Sequence, residues 1–289
     1  MKILFFINQL HGGGAEHIAS ILLNHFCERH DTYVAITNLK TPSFPIDNRV
    51  HIIDDRIKSK IKGASRIPRF IKMMLTIKKV SPDLIIPFMT KSCINSLIAN
   101  LIFRKKIIVY EHNTLNRIQS NRIKKLRKIL YPMADKIVFV ANEDCKAFNY
   151  PPKSLTIYNP SVFSPYNNYN NRKSTIITIA PTNRWYNKGL DLLIYAWSKI
   201  ASNNCDWNLE ILGESNEKDL PNDISIHNNT RITLLGWHTN VAEILRTKSI
   251  FILASRYEGC PISLLEAMSQ GWACIGTDCD GGMKELITK

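Results

Sequence analysis

The sequence predicts an α/β protein with two Rossmann-like parallel-sheet domains facing a cleft. Three observations carry that prediction. Short apolar runs alternate with helical periodicities along the chain, the alternation pauses once in an Asn-, Pro- and Ser-rich stretch, and 289 residues suit about two domains of ordinary size. Strands are expected at 2–7, 33–37, 84–88, 107–110 and 137–141, then at 176–180, 208–212, 231–235, 250–254 and 273–277. Helices are expected near 15–28, 64–80, 92–103, 120–132, 189–201, 240–247 and 263–270. The pause at 158–174 contains the expected linker, 161–174, between a first domain over 1–160 and a second over 175–289. Ligands of such sheets lie at the carboxyl ends of the strands.

The opening run from Met1 to Ile7 is short and lacks a small-residue cleavage site, so it reads as a first strand and not a signal peptide. The most apolar stretch, 94–110, is interrupted by Arg104, Lys105 and Lys106, which argues against a transmembrane helix. Seven cysteines without a C-x-x-C pair point to a reducing, cytoplasmic setting. No His, Cys or Asp cluster has metal-ligand spacing. The net charge of +14 is uneven: residues 49–153 hold 23 Lys and Arg against 7 Asp and Glu, so the rest of the chain is close to neutral. A basic half suits the inner face of a membrane or a phosphate-bearing acceptor, or forms ordinary solvated helix faces. No nucleic-acid motif accompanies it. The stretch 66–75 mixes cations with bulky apolar residues, as a helix lying on a membrane surface or one packed on the sheet would.

The chemistry concentrates near the carboxyl end. Glu258 and Glu266 are separated by seven residues, with Gly259 and Pro261 between them. The first follows an apolar strand and the second falls in the next helix. A strand, a Gly/Pro loop and a helix start expose free N–H groups that can hold a diphosphate, here around the segment Cys260, Pro261, Ile262 and Ser263, in which Pro261 shapes the turn and has no N–H of its own. Carboxylates on either side can accept hydrogen bonds from hydroxyls. Read individually, Glu266 also completes a capping box with Ser263, and Glu258 can be a solvated loop acid. Gly12, Gly13 and Gly14 follow the first strand but form neither a dinucleotide fingerprint nor a P-loop. They suit a backbone that approaches a ligand, or a flexible turn. Arg184 and Lys188 follow the strand at 176–180 as a fork and a point charge suited to phosphate. His112 ends the strand at 107–110. Its neighbour Glu111 is a weaker candidate, because successive strand residues point to opposite faces.

Together the Glu258-Gly259 and Glu266-Ala267-Met268 pairs, the glycine loop, Arg184 with Lys188-Gly189, Gly213-Glu214 and Leu235-Gly236 resemble the retaining GT-B glycosyltransferases of family 4, the glycosyl transferases group 1. The resemblance spans essentially the whole chain. It implies a transferase that moves a hexose-type sugar from a nucleoside-diphosphate sugar to an acceptor hydroxyl with retention, in cell-surface polysaccharide or lipopolysaccharide biosynthesis. It implies that Glu258 contacts the sugar with His112, that Glu266 contacts the ribose, and that Arg184 and Lys188 hold the diphosphate. Gly13, Gly14 and Gly213 would border the phosphates and base. No metal or other cofactor is expected. The expected partners are the nucleotide-sugar donor, a saccharide acceptor of lipid-linked type and the inner leaflet, with no nucleic acid. Relatives continue past the element that ends this chain, so a truncated second domain is also expected. The alternatives are an inactive relative that binds nucleotide or a partner, and a GT-B-shaped nucleotide-sugar epimerase.

Overall fold

The computed structural model describes residues 1–56, 69–114, 120–150, 152–166, 172–203, 206–221, 224 and 231–287. The chain divides into two compact units, Met1–Tyr158 and Asn159–Lys289. In the first unit the order is β1 (Lys2–Ile7), α1 (Gly14–Phe26), β2 (Asp31–Ile36), β3 (His51–Asp54), α2 (Arg69–Val80), β4 (Leu84–Pro87), α3 (Thr90–Phe103), β5 (Lys106–Glu111), α4 (Asn121–Leu130), β6 (Lys136–Phe139), α5 (Asn142–Phe148) and β7 (Ser154–Thr156). The seven strands form one sheet in the order β3-β2-β1-β4-β5-β6-β7, and the pairings are parallel. Ile3 to Ile7 are all buried, as expected of a parallel strand covered on both faces, which therefore reads as an unbroken apolar run. On one face Leu4, Phe6 and Val109 pack with Met73 and Ile77 of α2, Leu97 of α3 and Leu130 of α4.

The second unit runs β8 (Thr175–Ile179), α6 (Trp185–Lys188), α7 (Leu190–Ile200), β9 (Asn208–Leu212), β10 (Ile232–Gly236), α8 (Val241–Arg246), β11 (Ile250–Leu253), β12 (Tyr257–Glu258), α9 (Ile262–Ser269), β13 (Ala273–Gly276), β14 (Asp280–Gly281) and α10 (Met283–Leu286). Its parallel sheet has the order β10-β9-β8-β11-β13, and β12 pairs with β14 in a small ladder of its own. Successive residues of β8 serve opposite faces. Ile176 packs with Leu193 and Trp197 of α7, while Ile177 packs with Leu264 and Ala267 of α9.

The ten expected strands are all present, displaced by about two residues at most at their ends. The four unforeseen ones, β3, β7, β12 and β14, span two to four residues, too few for a period-2 pattern to register. The part of the expected helix at 64–68 lies outside the described residues, as do 167–171 of the expected linker. The described flanks of that linker pack on the second unit: Tyr166 N–H donates to Ser269 O and Lys173 N–H to Thr247 O. In each unit the sheet order reverses once, between β1 and β4 and between β8 and β11. Those switch points are where open α/β sheets leave a crevice at the carboxyl ends of their strands.

Candidate active site

The switch point of the second unit gathers the cations and the first glutamate. After β8 the chain makes one 3-10 turn at Thr182–Arg184 and then the four-residue α6, which ends in Lys188. Gly189 closes it with φ +61°, and a Cβ there would lie 1.9 Å from the Ala254 carbonyl oxygen at the end of β11. Only glycine provides both that dihedral and that approach. The turn is thereby laid against the segment 254–258, and Lys188 Nζ donates to Glu258 Oε1 at 2.7 Å across 70 residues of sequence.

Ser255 Oγ donates to the same carboxylate oxygen at 2.7 Å. Burial alone would raise the Glu258 value, but the Lys188 charge and hydrogen bond, the Ser255 hydroxyl and the Arg184 charge outweigh it and hold the carboxyl below its ordinary range. Glu258 is therefore an anion that already carries a compensating cation. The Arg184 side chain is partly exposed and has no hydrogen bond or ion pair among the described residues, so its fork is available to a ligand.

Beyond Glu258 the loop turns through Gly259 and Cys260. Asn159 Nδ2 donates to the Cys260 carbonyl at 2.7 Å, fixing the approach to α9. Pro261 is the N-cap of α9, and the helix start has no side-chain cap. The first bonds back to the Pro261 carbonyl come from Leu264 and Leu265, which leaves the Ile262 and Ser263 amides without acceptors among the described residues, as at any uncapped helix start. Ser263 lies inside the helix, so the capping-box reading of Glu266 does not apply. Glu266 is instead buried at 8% exposure with no side-chain partner among the described residues, and burial raises its carboxyl to about 7. Side chains on a helix lean toward its N-terminus, the end of α9 that carries the free amides. Gly213, at φ +139°, has no room for a Cβ: one would meet the Pro181 nitrogen at 2.9 Å. It lets the end of β9 crowd the carboxyl end of β8.

The remaining predicted residues belong to the first unit. Gly13 is the N-cap of α1 with φ +77°, and Gly14 is its first residue. The Glu16 carboxylate folds back over Gly13, where a Cβ would meet its Oε2 at 2.3 Å, an arrangement the positive helix mouth favours. His112 follows β5. Its ring stacks on Phe88 and Tyr110 with centroids 5.4 and 4.8 Å away, and its Nε2 is buried without a partner among the described residues. Burial lowers it to about 3, so it is a neutral imidazole that can hydrogen-bond a hydroxyl.

Glu111 has a structural duty. It is fully buried, takes hydrogen bonds from Thr90 Oγ1 (2.9 Å), Tyr131 OH (2.6 Å) and Asn113 N–H (2.9 Å), and pairs with fully buried Arg127 at 3.1 Å. Ser255 escaped the sequence reading although it lies three residues before Glu258, while the Asn159–Cys260 contact and the ion pair of Arg256 with Asp191 escaped it because contacts between residues far apart in the chain have no local pattern. His/Cys/Asp/Glu groups able to hold a metal are absent among the described residues.

Comparison with known proteins shows what the chain is similar to. The family model for glycosyl transferases group 1 matches residues 173–289, the segment that carries Arg184, Lys188, Glu258 and Glu266. The amylovoran biosynthesis glycosyltransferase AmsD of Erwinia amylovora is 26% identical over 99% of this chain and 83% of its own length. An α-1,4-N-acetyl-D-galactosaminyltransferase of Campylobacter jejuni, which by its name acts on an undecaprenol-diphosphate-linked saccharide, is 22% identical over 99% of this chain and 82% of its own. Among solved structures, HepE of Anabaena in complex with UDP and glucose superposes with a TM-score of 0.77 at 18% identity, covering 100% of this chain and 83% of that one. The fold is GT-B, and the chain is a glycosyltransferase.

Proposed function

We infer that the protein transfers a hexose-type sugar from a nucleoside-diphosphate sugar to a hydroxyl of a lipid-linked saccharide, with retention, as a family 4 enzyme of cell-surface polysaccharide or lipopolysaccharide assembly. The observation that carries this reading is the meeting of Lys188 and Glu258 at 2.7 Å on the carboxyl side of the second sheet's switch point. A donor diphosphate there would draw on Lys188, Arg184 and the Ile262 and Ser263 amides. All of these stabilise the charge that grows as the sugar–phosphate bond breaks. Glu258, released in part from Lys188, would then accept a sugar hydroxyl, and Glu266 a ribose hydroxyl. In this reading the departing phosphate takes the acceptor proton on the same face, and no metal is needed. The second unit would hold the donor and the first the acceptor, with neutral His112 hydrogen-bonded to a sugar hydroxyl.

A place at the inner leaflet is supported by the outward stripe of α2, where Ile71, Leu75, Lys78 and Lys79 are exposed, and by α4, where Arg122, Lys125, Leu126, Lys128 and Ile129 are exposed. Neither helix contains an acidic residue, so anionic headgroups meet only cations and apolar side chains. The part of the basic stretch at 66–68 lies outside the described residues. No described helix is long and apolar enough to cross a membrane.

The test is turnover. Purified protein is given UDP-, GDP- and ADP-hexoses with a lipid-diphosphate-linked saccharide, and the new linkage is read by proton NMR. The expected product keeps the donor's anomeric configuration. An inverted linkage would overturn the retention, and consumption of the donor to an epimer without acceptor would overturn the transferase reading.

A further inference from the structure

Arg256 lies two residues before Glu258, is partly exposed, and directs its charge onto groups of the second unit. Its guanidinium forks onto Asp191, with Nη1 to Oδ1 at 2.8 Å and Nη2 to Oδ2 at 2.6 Å. Nη1 also donates to the Tyr186 carbonyl at 2.7 Å, and the guanidinium carbon sits 4.2 Å from the centre of the Tyr186 ring. The Arg256 backbone N–H donates to the Asn187 carbonyl at 2.9 Å. Asp191 belongs to the first turn of α7. One residue therefore ties Tyr186, Asn187 and Asp191, which flank Lys188 on both sides, to the segment that supplies Ser255 and Glu258.

The consequence follows from the size of the element being held. α6 is a single turn of four residues, too short to be stable by itself. Its cation must nonetheless stand at hydrogen-bond distance from a carboxylate on a different strand end. Gly189 against Ala254 sets how closely the two segments approach. That contact and the backbone bond from Arg256 N–H to the Asn187 carbonyl hold the turn close, and neither fixes the direction of its side chains. Arg256 supplies the second and third points of attachment, and its planar fork fixes direction as well as distance.

We propose that Arg256, held by Asp191 and Tyr186, is a positioning residue that sets Lys188 and Arg184 for a ligand's diphosphate without touching the ligand itself. The inference rests on the donor-site reading above and adds a residue to it. It predicts a selective defect. Loss of the fork lets the α6 turn drift, and a misplacement of about 1 Å in a positioning group weakens phosphate recognition while contacts to the nucleoside remain. A lysine cannot substitute, because an ammonium neither forks nor stacks in the same way.

The experiment is calorimetric titration of the wild-type chain with UDP, GDP and ADP. The tightest-binding of these and its parent nucleoside are then titrated into Arg256→Ala, Arg256→Lys, Asp191→Asn and the Arg256→Ala/Asp191→Asn double variant. Arg256→Ala should bind the diphosphate about tenfold more weakly and the nucleoside within about twofold of wild type. Arg256→Lys should recover little, and the double variant should be no worse than Arg256→Ala, because both changes remove one linkage. Asp191→Asn keeps the side-chain shape and serves if Arg256→Ala does not fold. Equal losses for diphosphate and nucleoside, or a lowered melting temperature with unchanged diphosphate affinity, would reduce Arg256 to a structural role and overturn the proposal. If the wild-type chain binds none of the three diphosphates, the donor-site reading itself fails, and that outcome is distinct from the others.

Discussion

Glu266 offers a prediction whose size and sign both follow from the structure. Its carboxyl is buried without a partner among the described residues, and burial raises it from 4.5 to about 7. A raised acid is protonated in folded and unfolded chains alike below its unfolded value, and there it does not affect stability. As the pH climbs toward 7 the unfolded chain ionises freely while the folded one resists, so stability is lost over that interval. The displacement from 4.5 to about 7 corresponds to roughly 3 kcal/mol. Glu266→Gln removes the titration. A buried glutamine has a desolvation cost of its own, but that cost does not vary with pH. The free-energy difference, wild type minus variant, should therefore fall by roughly 3 kcal/mol between the unfolded value and about pH 8.

The assay is urea unfolding at a series of pH values, followed by tryptophan fluorescence. All five tryptophans (185, 197, 207, 237 and 272) lie in the second unit, so the signal reports the unit that contains Glu266. A difference that stays flat with pH would mean the carboxyl is solvated or paired, and the argument that it waits for a ligand hydroxyl would lose its physical basis.

Gly189→Ala should abolish nucleoside-diphosphate binding. Its Cβ would collide with the Ala254 carbonyl, and a left-handed alanine adds about 1 kcal/mol or more of strain; calorimetry and thermal melting check both effects. Arg127→Leu should destabilise the first unit by about 3–5 kcal/mol, because it strands the buried Glu111 carboxylate. Far-UV circular dichroism with tryptophan fluorescence as the second-unit control would measure that loss. Wild-type protein should co-sediment with vesicles of phosphatidylglycerol at low salt and much less with phosphatidylcholine. Charge reversal at Lys78, Lys79, Lys125 and Lys128 should eliminate the difference, and equal binding of both lipids would remove the membrane reading.

The sheets were legible because buried parallel strands announce themselves: the runs at Ile3–Ile7 and Ile250–Leu253 are apolar at every position. Residues tied to a local pattern were legible too. Lys188 stands beside a glycine and Glu258 before one, and the structure brings those two side chains together. What could not be read is cooperation at a distance. Nothing near Arg256 in sequence announces Asp191, 65 residues away, and nothing near Asn159 announces the Cys260 carbonyl, 101 residues away. Local pattern also misled once. Ser263 and Glu266 have capping-box spacing, but Pro261 starts the helix earlier and leaves Glu266 without that role. Glu111 ends β5 and His112 follows it, and the alternation of strand side chains set Glu111 below His112 as a candidate. It did not foresee that Glu111 would be engaged by Thr90, Tyr131, Asn113 and Arg127, while the His112 Nε2 has no partner among the described residues.

The most direct measurement is a crystal structure of the chain with a bound nucleoside diphosphate. The two phosphates should lie within hydrogen-bond distance of Arg184, Lys188 and the Ile262 and Ser263 amides, with the ribose against Glu266. Phosphates located away from Lys188 and the start of α9 would contradict the assignment of this switch point as the donor site.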